Sequence, residues 1–147
     1  MVTKILVVED EIITAMELKI ILEDEGYIVS DLIASGELAV KKAIEILPDL
    51  VILDIQLKGM MDGIEAAEEI QSILHIPVIY FTAFSKDQIL QKMKNNHSGI
   101  IKELDIVSKP FDVKELNIRI QKALEKHIIR KTPARGSLKR ILVNKVY

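Results

Sequence analysis

Five side chains able to take part in chemistry stand at the ends of short apolar runs, and they are Glu9, Asp10, Asp54, Thr82 and Lys109. Such runs, bounded by turn residues, are typical of strands buried in a parallel sheet. The carboxyl ends of parallel strands meet at one edge, where ligand sites form. We therefore expect the five side chains to lie close together. Taken alone, Asp54 is equally compatible with capping the turn that follows its strand.

Three carboxylates, a hydroxyl and a lysine make physical sense as a phosphoryl-transfer site. Carboxylates this close repel one another unless a divalent cation joins them, and oxygen ligands without His or Cys favour Mg²⁺. The cation and Lys109 would neutralise charge on the phosphoryl group, and Thr82 could donate a hydrogen bond to it. Asp54 would be the nucleophile and would form an aspartyl phosphate.

The elements that must position these residues alternate along the chain between strand and helix. Apolar runs predict strands at 4–8, 27–34, 50–54, 77–81 and 104–108. Helical periodicity and capping residues predict helices at about 12–25, 35–47, 62–74, 86–95 and 112–131. Right-handed crossovers would place the helices on both faces of the sheet. The pattern therefore predicts an α/β fold with a doubly wound parallel sheet.

Helical spacing also assigns the faces that pack inward. In the second helix the inward residues are expected to be Ala39, Ala43, Ile46 and Leu47. The fourth helix has only a thin apolar face, made of Ile89, Leu90 and Met93. A thin face predicts marginal docking, which suits a mobile element.

Composition excludes several classes of protein. The chain has 147 residues, 49% of them hydrophobic and 29% charged, which suits one globular domain with a short extension. The absence of cysteine excludes disulfides and thiolate metal sites, and fits the cytoplasm. There is neither a signal-peptide pattern nor an apolar run long enough to span a membrane. Low aromatic content argues against a stacking platform for nucleic acid.

Charge divides the chain into an acidic body and a basic tail. The first 126 residues hold 14 basic and 22 acidic residues, a net charge of −8, whereas the last 21 hold six basic residues and no acidic one. An acidic body argues against phosphate-backbone binding. We assign a domain to 1–131 and a tail or linker to 132–147. The tail could be disordered, could bind a partner as a strand, or could be the stub of a longer protein.

Five segments, in order and at matching spacing, resemble the receiver domain of two-component response regulators, over about 2–131. They are Val7-Val8-Glu9-Asp10-Glu11, Leu53-Asp54, Met61-Asp62-Gly63, Phe81-Thr82-Ala83 and Ser108-Lys109-Pro110-Phe111. The resemblance implies a flavodoxin-like, five-stranded sheet of order 2-1-3-4-5 with five helices. It also implies a switch that takes its phosphoryl group from a sensor histidine kinase or a histidine phosphotransfer protein.

The resemblance assigns a role to each site residue. Asp54 is the expected phosphoacceptor and Lys109 the phosphate partner, with a cis bond between Lys109 and Pro110. Thr82 is the expected switch hydroxyl. The expected Mg²⁺ ligands are Asp10, Asp54 and the backbone carbonyl of Gln56, with Glu9 meeting the ion through water. Such a domain promotes its own phosphorylation and dephosphorylation but is not a turnover enzyme.

Signalling is expected to pass through the fourth helix, fifth strand and fifth helix to a protein partner, with a homodimer left open. Two residues depart from the family pattern: Glu9 replaces an aspartate, and Ile106 replaces an aromatic residue that turns inward on activation. Signalling should therefore rely on the segment from Thr82 to Ser85 and the helix after it.

Two alternatives remain. A receiver-like interaction module that no longer uses phosphate would explain the departures at Glu9 and Ile106, although Asp54, Thr82 and Lys109 are intact. A haloacid-dehalogenase-type phosphatase also uses an aspartyl nucleophile, but normally has a second acid where this chain has Gln56.

Overall fold

Ten elements alternate in the computed structural model, which describes residues 2–96 and 106–131. The strands are β1 (Lys4–Val8), β2 (Ile28–Ile33), β3 (Leu50–Leu53), β4 (Val78–Thr82) and β5 (Ile106–Ser108). The helices are α1 (Ile12–Asp24), α2 (Gly36–Ile46), α3 (Gly63–Leu74), α4 (Lys86–Asn96) and α5 (Val113–Lys131). The predicted alternation of strand and helix is confirmed.

The strands form one parallel sheet in the order β2-β1-β3-β4-β5, as predicted. In the register Val8 lies beside Leu53 and Thr82 beside Ser108. The residues that follow these pairs therefore leave the sheet at the same edge. The first residue of β2 is exposed and its middle is half-buried, as its polar residues predicted.

Short polar residues begin the helices that lead back from this edge. Ser35 accepts a hydrogen bond from the backbone N–H of Leu38 at the start of α2. Asp62 does the same for Glu65 at the start of α3. Before α4, Ser85 and Gln88 each bond to the other's backbone N–H. These caps satisfy N–H groups that have no partner within the helix, and so fix where each helix begins.

Apolar side chains cover both faces of the sheet, as a doubly wound fold requires. One cluster packs α2, α3 and α4 against one face, through residues that include Val40, Ala67 and Ile89. The other packs α1 and α5 against the opposite face, with Leu18, Phe81 and Ile120 among its members. The central strands β1, β3 and β4 are almost fully buried between the clusters, which explains their continuous apolar sequence.

Two inward assignments are wrong. Leu47 is 62% exposed because α2 ends at Ile46 and Leu47 takes a left-handed conformation, with a φ of 54°, that leaves the helical periodicity. Val40 is buried in that face instead. Leu90 of α4 is also exposed, so the apolar face of α4 is even thinner than predicted. Three predictions fall outside the described residues. They are the inward position of the Met93 side chain, the start of the fifth strand at 104–105, and the tail at 132–147.

In the part of the chain that the structure describes, a membrane-spanning helix is not found.

Candidate functional site at the carboxyl edge of the sheet

All five side chains singled out by type and spacing lie at the carboxyl edge of the sheet. Glu9 and Asp10 follow β1, Asp54 follows β3, Thr82 ends β4 and Lys109 follows β5. Backbone bonds continue past the strand ends: Asp54 N–H donates to the Val8 carbonyl at 3.0 Å, and Lys109 N–H to the Thr82 carbonyl at 2.8 Å. The sheet therefore holds the backbone of Asp54 and Lys109 in fixed positions.

Lys109 bridges the two buried carboxylates. Its Nζ donates to Asp54 Oδ2 at 2.9 Å and also to Glu9 Oε1. The same ammonium lies over the ring of Phe81, 5.0 Å from the ring centroid. Phe81 in turn packs edge to face with Phe111, which follows the cis peptide bond between Lys109 and Pro110. Aromatic contacts therefore help fix the ammonium on the acids.

One ammonium faces two carboxylates, so the site carries an excess negative charge. Burial raises the pKa of Glu9 to about 7, and the neighbouring Asp54 carboxylate adds to the rise, while Lys109 opposes it. The pKa of Lys109 is also raised: burial would lower it, but the hydrogen bonds and charges of Glu9 and Asp54 outweigh that effect. The site thus favours an additional positive charge.

The acidic residues fit a divalent cation. Glu9, Asp10 and Asp54 each offer a carboxylate oxygen, and these oxygens lie within 4.8 Å of one another. Glu9 Oε2 is buried and has no hydrogen-bond partner among the described residues. Asp10 is partly exposed and accepts a bond from the Lys58 backbone N–H at 3.3 Å. A buried acceptor without a partner beside two further carboxylates is a donor set suited to Mg²⁺.

The loop after β3 turns tightly around Asp54. The backbone N–H of Gln56 donates to Asp54 Oδ1 at 3.0 Å, and the Gln56 residue is exposed. Gly63 begins α3 so close to this turn that a Cβ would lie 1.9 Å from the Asp54 carbonyl oxygen. Only glycine fits there, which gives Gly63 of the Met61-Asp62-Gly63 segment a physical role.

Thr82 is fully buried at the end of β4, one strand away from Asp54. Its Oγ1 accepts a hydrogen bond from the backbone N–H of Phe84 at 3.1 Å. The hydroxyl is therefore tied to the segment that leads into α4. On the neighbouring strand Ile106 pairs with Tyr80 and is partly buried against the cluster that includes Ile89.

Sequence reasoning missed Glu37, in the first turn of α2. Its Oε1 accepts a hydrogen bond from the backbone N–H of Met61 at 2.7 Å, and so links α2 to the loop after Asp54. Gly59 was a signal in the sequence, because glycine marks a loop of unusual backbone conformation, and here its φ is +112°. Nothing in the sequence paired that loop with α2.

Comparison with known proteins agrees with this geometry. A family model described as "Response regulator receiver domain" matches residues 5–121. The chain is 33% identical over 123 residues to "Transcriptional regulatory protein PdtaR" of Mycobacterium tuberculosis. That match covers 84% of this chain but only 57% of the relative, so the chain spans little more than half of the relative's length.

Solved structures with the same architecture include further receiver domains. One is the signal receiver domain of a modulated diguanylate cyclase from Desulfovibrio desulfuricans, with a TM-score of 0.79 and 29% identity, covering 89% of this chain and all of that one. Another is the response regulator PhyR from Brucella abortus, with a TM-score of 0.76 and 26% identity, covering 93% of this chain and 54% of that one.

Proposed function

The chain belongs to the response regulator receiver domain family, and from that premise we propose that Asp54 accepts a phosphoryl group from a histidine kinase or a histidine phosphotransfer protein. The observation that carries the proposal is the Lys109 ammonium held on Asp54 within the acidic cluster, which consists of Glu9, Asp10 and Asp54. A carboxylate so placed has a nucleophilic oxygen at the carboxyl edge of the sheet and a fixed cation beside it.

In the proposed step an Asp54 oxygen attacks the phosphorus of the donor. The new P–O bond forms as the P–N bond to the donor's imidazole breaks, and the leaving nitrogen keeps the electron pair and takes a proton from solvent. Lys109 stabilises the charge on the phosphoryl oxygens. Glu9, Asp10, Asp54 and the Gln56 carbonyl would hold Mg²⁺, which supplies further charge neutralisation when bound.

Hydrolysis of the acyl phosphate would return the chain to its starting state, so the domain acts as a switch that promotes its own phosphorylation and dephosphorylation. The proposed output surface is formed by α4, which follows the segment from Thr82 to Ser85, by the edge strand β5 and by α5, and its occupant is a downstream protein or a second copy of the chain. PhyR from Bartonella quintana, whose structure is similar to this chain, is named an anti-anti-sigma factor, and this name supports a protein partner in the proposal.

The test is intact mass spectrometry after incubation with acetyl phosphate and Mg²⁺. The parent should gain one phosphoryl group, and the gain should disappear with chelator and in Asp54→Asn. Asp31→Asn is the matched control, because Asp31 lies within β2, two strands away from β3, and should not affect the adduct.

The opposite result would favour the phosphate-independent interaction module. If the parent gains no phosphoryl group and beryllofluoride leaves its amide NMR spectrum unchanged, Asp54 is not an acceptor. A fixed surface, read without phosphate, would then be the function. An adduct that persists in Asp54→Asn would place the acceptor elsewhere and would also contradict the proposal.

A further inference from the structure

Glu37 lies outside the acidic cluster and takes no part in the phosphoryl-transfer step described above. It stands in the first turn of α2 and is exposed, where a carboxylate usually faces solvent. Instead its Oε1 accepts the Met61 backbone N–H at 2.7 Å. Hydrogen bonds from its own N–H and from those of Met61 and Met60 lower the pKa of Glu37. The ionised side chain therefore binds the backbone of the loop at 56–61, between Asp54 and α3.

One glycine allows this close approach, and a second allows the loop to turn beside the carboxylate. A Cβ on Gly36 would lie 2.8 Å from the Met61 carbonyl oxygen, so the start of α2 touches the loop backbone directly. Gly59 has a φ of +112°, and a Cβ there would lie 3.5 Å from Glu37 Oε2. The backbone on both sides of the Glu37 carboxylate is thus shaped around it.

The same loop reaches the acidic cluster at its other end. The backbone N–H of Lys58 donates to Asp10 Oδ2 at 3.3 Å, three residues before Met61. The N–H of Gln56, at the beginning of the loop, donates to Asp54 Oδ1 at 3.0 Å. Two of the carboxylates that would hold the cation therefore take hydrogen bonds from this loop, while Glu37 fixes its far end.

We propose that Glu37 is a positioning residue for the Mg²⁺ site, which it supports by fixing the loop that orients Asp10 and Asp54. This inference rests on the metal site of the proposed function and does not depend on phosphoryl transfer. Groups that orient metal ligands commonly change metal affinity by about 10- to 100-fold when they are removed. Because Glu37 acts through a loop backbone, we expect an effect near the lower end of that range.

A purely structural role is the competing explanation. An acidic residue in the first turn stabilises a helix through its favourable interaction with the helix dipole, and this effect does not depend on the position of the loop. In that case removal of Glu37 would lower the free energy of unfolding and leave the affinity of the folded protein for Mg²⁺ unchanged. The two explanations therefore predict different affinities for Mg²⁺ when Glu37 is removed from the folded chain.

The experiment is isothermal titration of the full chain with MgCl₂, without any phosphodonor, at 0.15 M salt and a temperature where every variant is folded. Glu37→Ala should raise the Kd for Mg²⁺ by about tenfold. Glu37→Gln keeps an acceptor oxygen and should stay within about twofold of the parent. Glu45→Ala, which removes an exposed acid near the other end of α2, is the matched control and should leave the Kd unchanged.

Amide hydrogen exchange at Met60 and Met61 gives a second readout, which should be fast in Glu37→Ala and slow in Glu37→Gln. If Glu37→Ala does not fold, Gly59→Ala strains the same loop and should weaken Mg²⁺ binding in its place. An unchanged Kd in Glu37→Ala would overturn the inference. An equal loss in Glu37→Ala and Glu37→Gln would also overturn it, since charge and not loop position would then set the affinity.

Failure of this inference and failure of the proposed function can be told apart. A parent that binds Mg²⁺ with the expected dependence on Glu37, yet gains no phosphoryl group, would contradict only the proposed function. A parent that is phosphorylated while Glu37→Ala binds Mg²⁺ normally would contradict only the role of Glu37. A parent that does not bind Mg²⁺ would overturn the positioning role.

Discussion

At the scale of single residues, the balance of charge around Lys109 governs the site. Its ammonium contacts both Glu9 and Asp54, yet it compensates only one negative charge. The second carboxylate is left in a buried place, where the charged form is costly. The excess negative charge therefore destabilises the site, and binding of a proton or a cation stabilises it.

The raised pKa of Glu9 leads to a prediction about stability and pH. Its pKa is about 7 in the folded chain against an ordinary value of 4.5, so the folded state binds more protons between these values. Stability should therefore be highest below pH 4.5 as far as Glu9 is concerned, and should fall as pH rises toward 7. The loss is at most about 1.4 kcal/mol per pH unit for one proton.

Urea unfolding in chelator, at a series of pH values from 5 to 8, measures this effect. Glu9→Gln cannot titrate, so its free energy of unfolding should depend less on pH than that of the parent between pH 5 and 7. Glu17→Gln, on the exposed face of α1, is the control and should keep the slope of the parent. Equal slopes in Glu9→Gln and the parent would mean that Glu9 stays ionised throughout.

At the scale of elements, the segment between β4 and α4 is the expected moving part. The Thr82 hydroxyl accepts a hydrogen bond from the Phe84 N–H. Movement of Thr82 toward a phosphoryl group must therefore break this hydrogen bond or move Phe84 with it. Among the side chains of the following helix that the structure describes, Ile89 is buried but Leu90 is exposed. Elements with little buried apolar surface move at low cost in free energy.

Substitution at Thr82 and Ile106 tests this route. Thr82→Ala should abolish the beryllofluoride-induced changes in the amide NMR spectrum of α4, because the hydroxyl that follows the phosphoryl group is gone. Ile106→Ala should retain them, since an aliphatic side chain cannot report by ring rotation. Retention of the α4 changes in Thr82→Ala, or their loss in Ile106→Ala, would contradict the proposed route.

Lys92 contacts two neighbours of α4. Its Nζ lies 3.3 Å from Asp62 Oδ2, at the cap of α3, and 5.6 Å from the centroid of the Phe84 ring. The side chain is about one third exposed, so each contact contributes modestly, about 0.5–1 kcal/mol. Together they connect α4 to α3 and to the segment that contains Thr82.

Removal of this contact should loosen α4. In Lys92→Met, which keeps the apolar stem, amide hydrogen exchange in α4 should be about two- to tenfold faster than in the parent. Lys19→Met removes a comparable exposed pair with Glu23 on α1 and should leave exchange in α4 unchanged. Exchange in α4 that is equally slow in Lys92→Met would show that the ammonium does not hold the helix.

At the scale of the whole molecule, the apolar pattern predicted the fold and the location of the site. Strands buried on both faces must be continuously apolar, so their ends, and the acids placed there, can be recognised in the sequence. The position of Leu47 could not be predicted from periodicity, because one left-handed residue ends the helix. The pairing of Lys109 with Glu9, and of Glu37 with Met61, joins residues far apart in the chain and depends on the assembled sheet.

The boundary between body and tail gives the last prediction. Among the described side chains of α5, those in the core cluster are Leu116, Ile120, Ala123 and Leu124, which precede the basic run that begins at Arg130. Gln121 adds a hydrogen bond to the Tyr27 hydroxyl at 3.0 Å. We therefore expect a chain that ends at Lys131 to keep its melting temperature within about 3 °C of the full chain, and to keep the Mg²⁺-dependent phosphoryl adduct.

Truncation after Arg119 is the contrasting variant, because it removes Ile120 and the hydrogen bond from Gln121 to the Tyr27 hydroxyl. Loss of a buried isoleucine alone costs about 2–5 kcal/mol, so this shorter chain should unfold at a much lower temperature. Calorimetry of the three chains compares them directly. If removal of 132–147 lowered the melting temperature as much as removal of 120–147, the basic tail would be part of the folded domain. If only the shorter chain is destabilised, the receiver domain ends at or before Lys131.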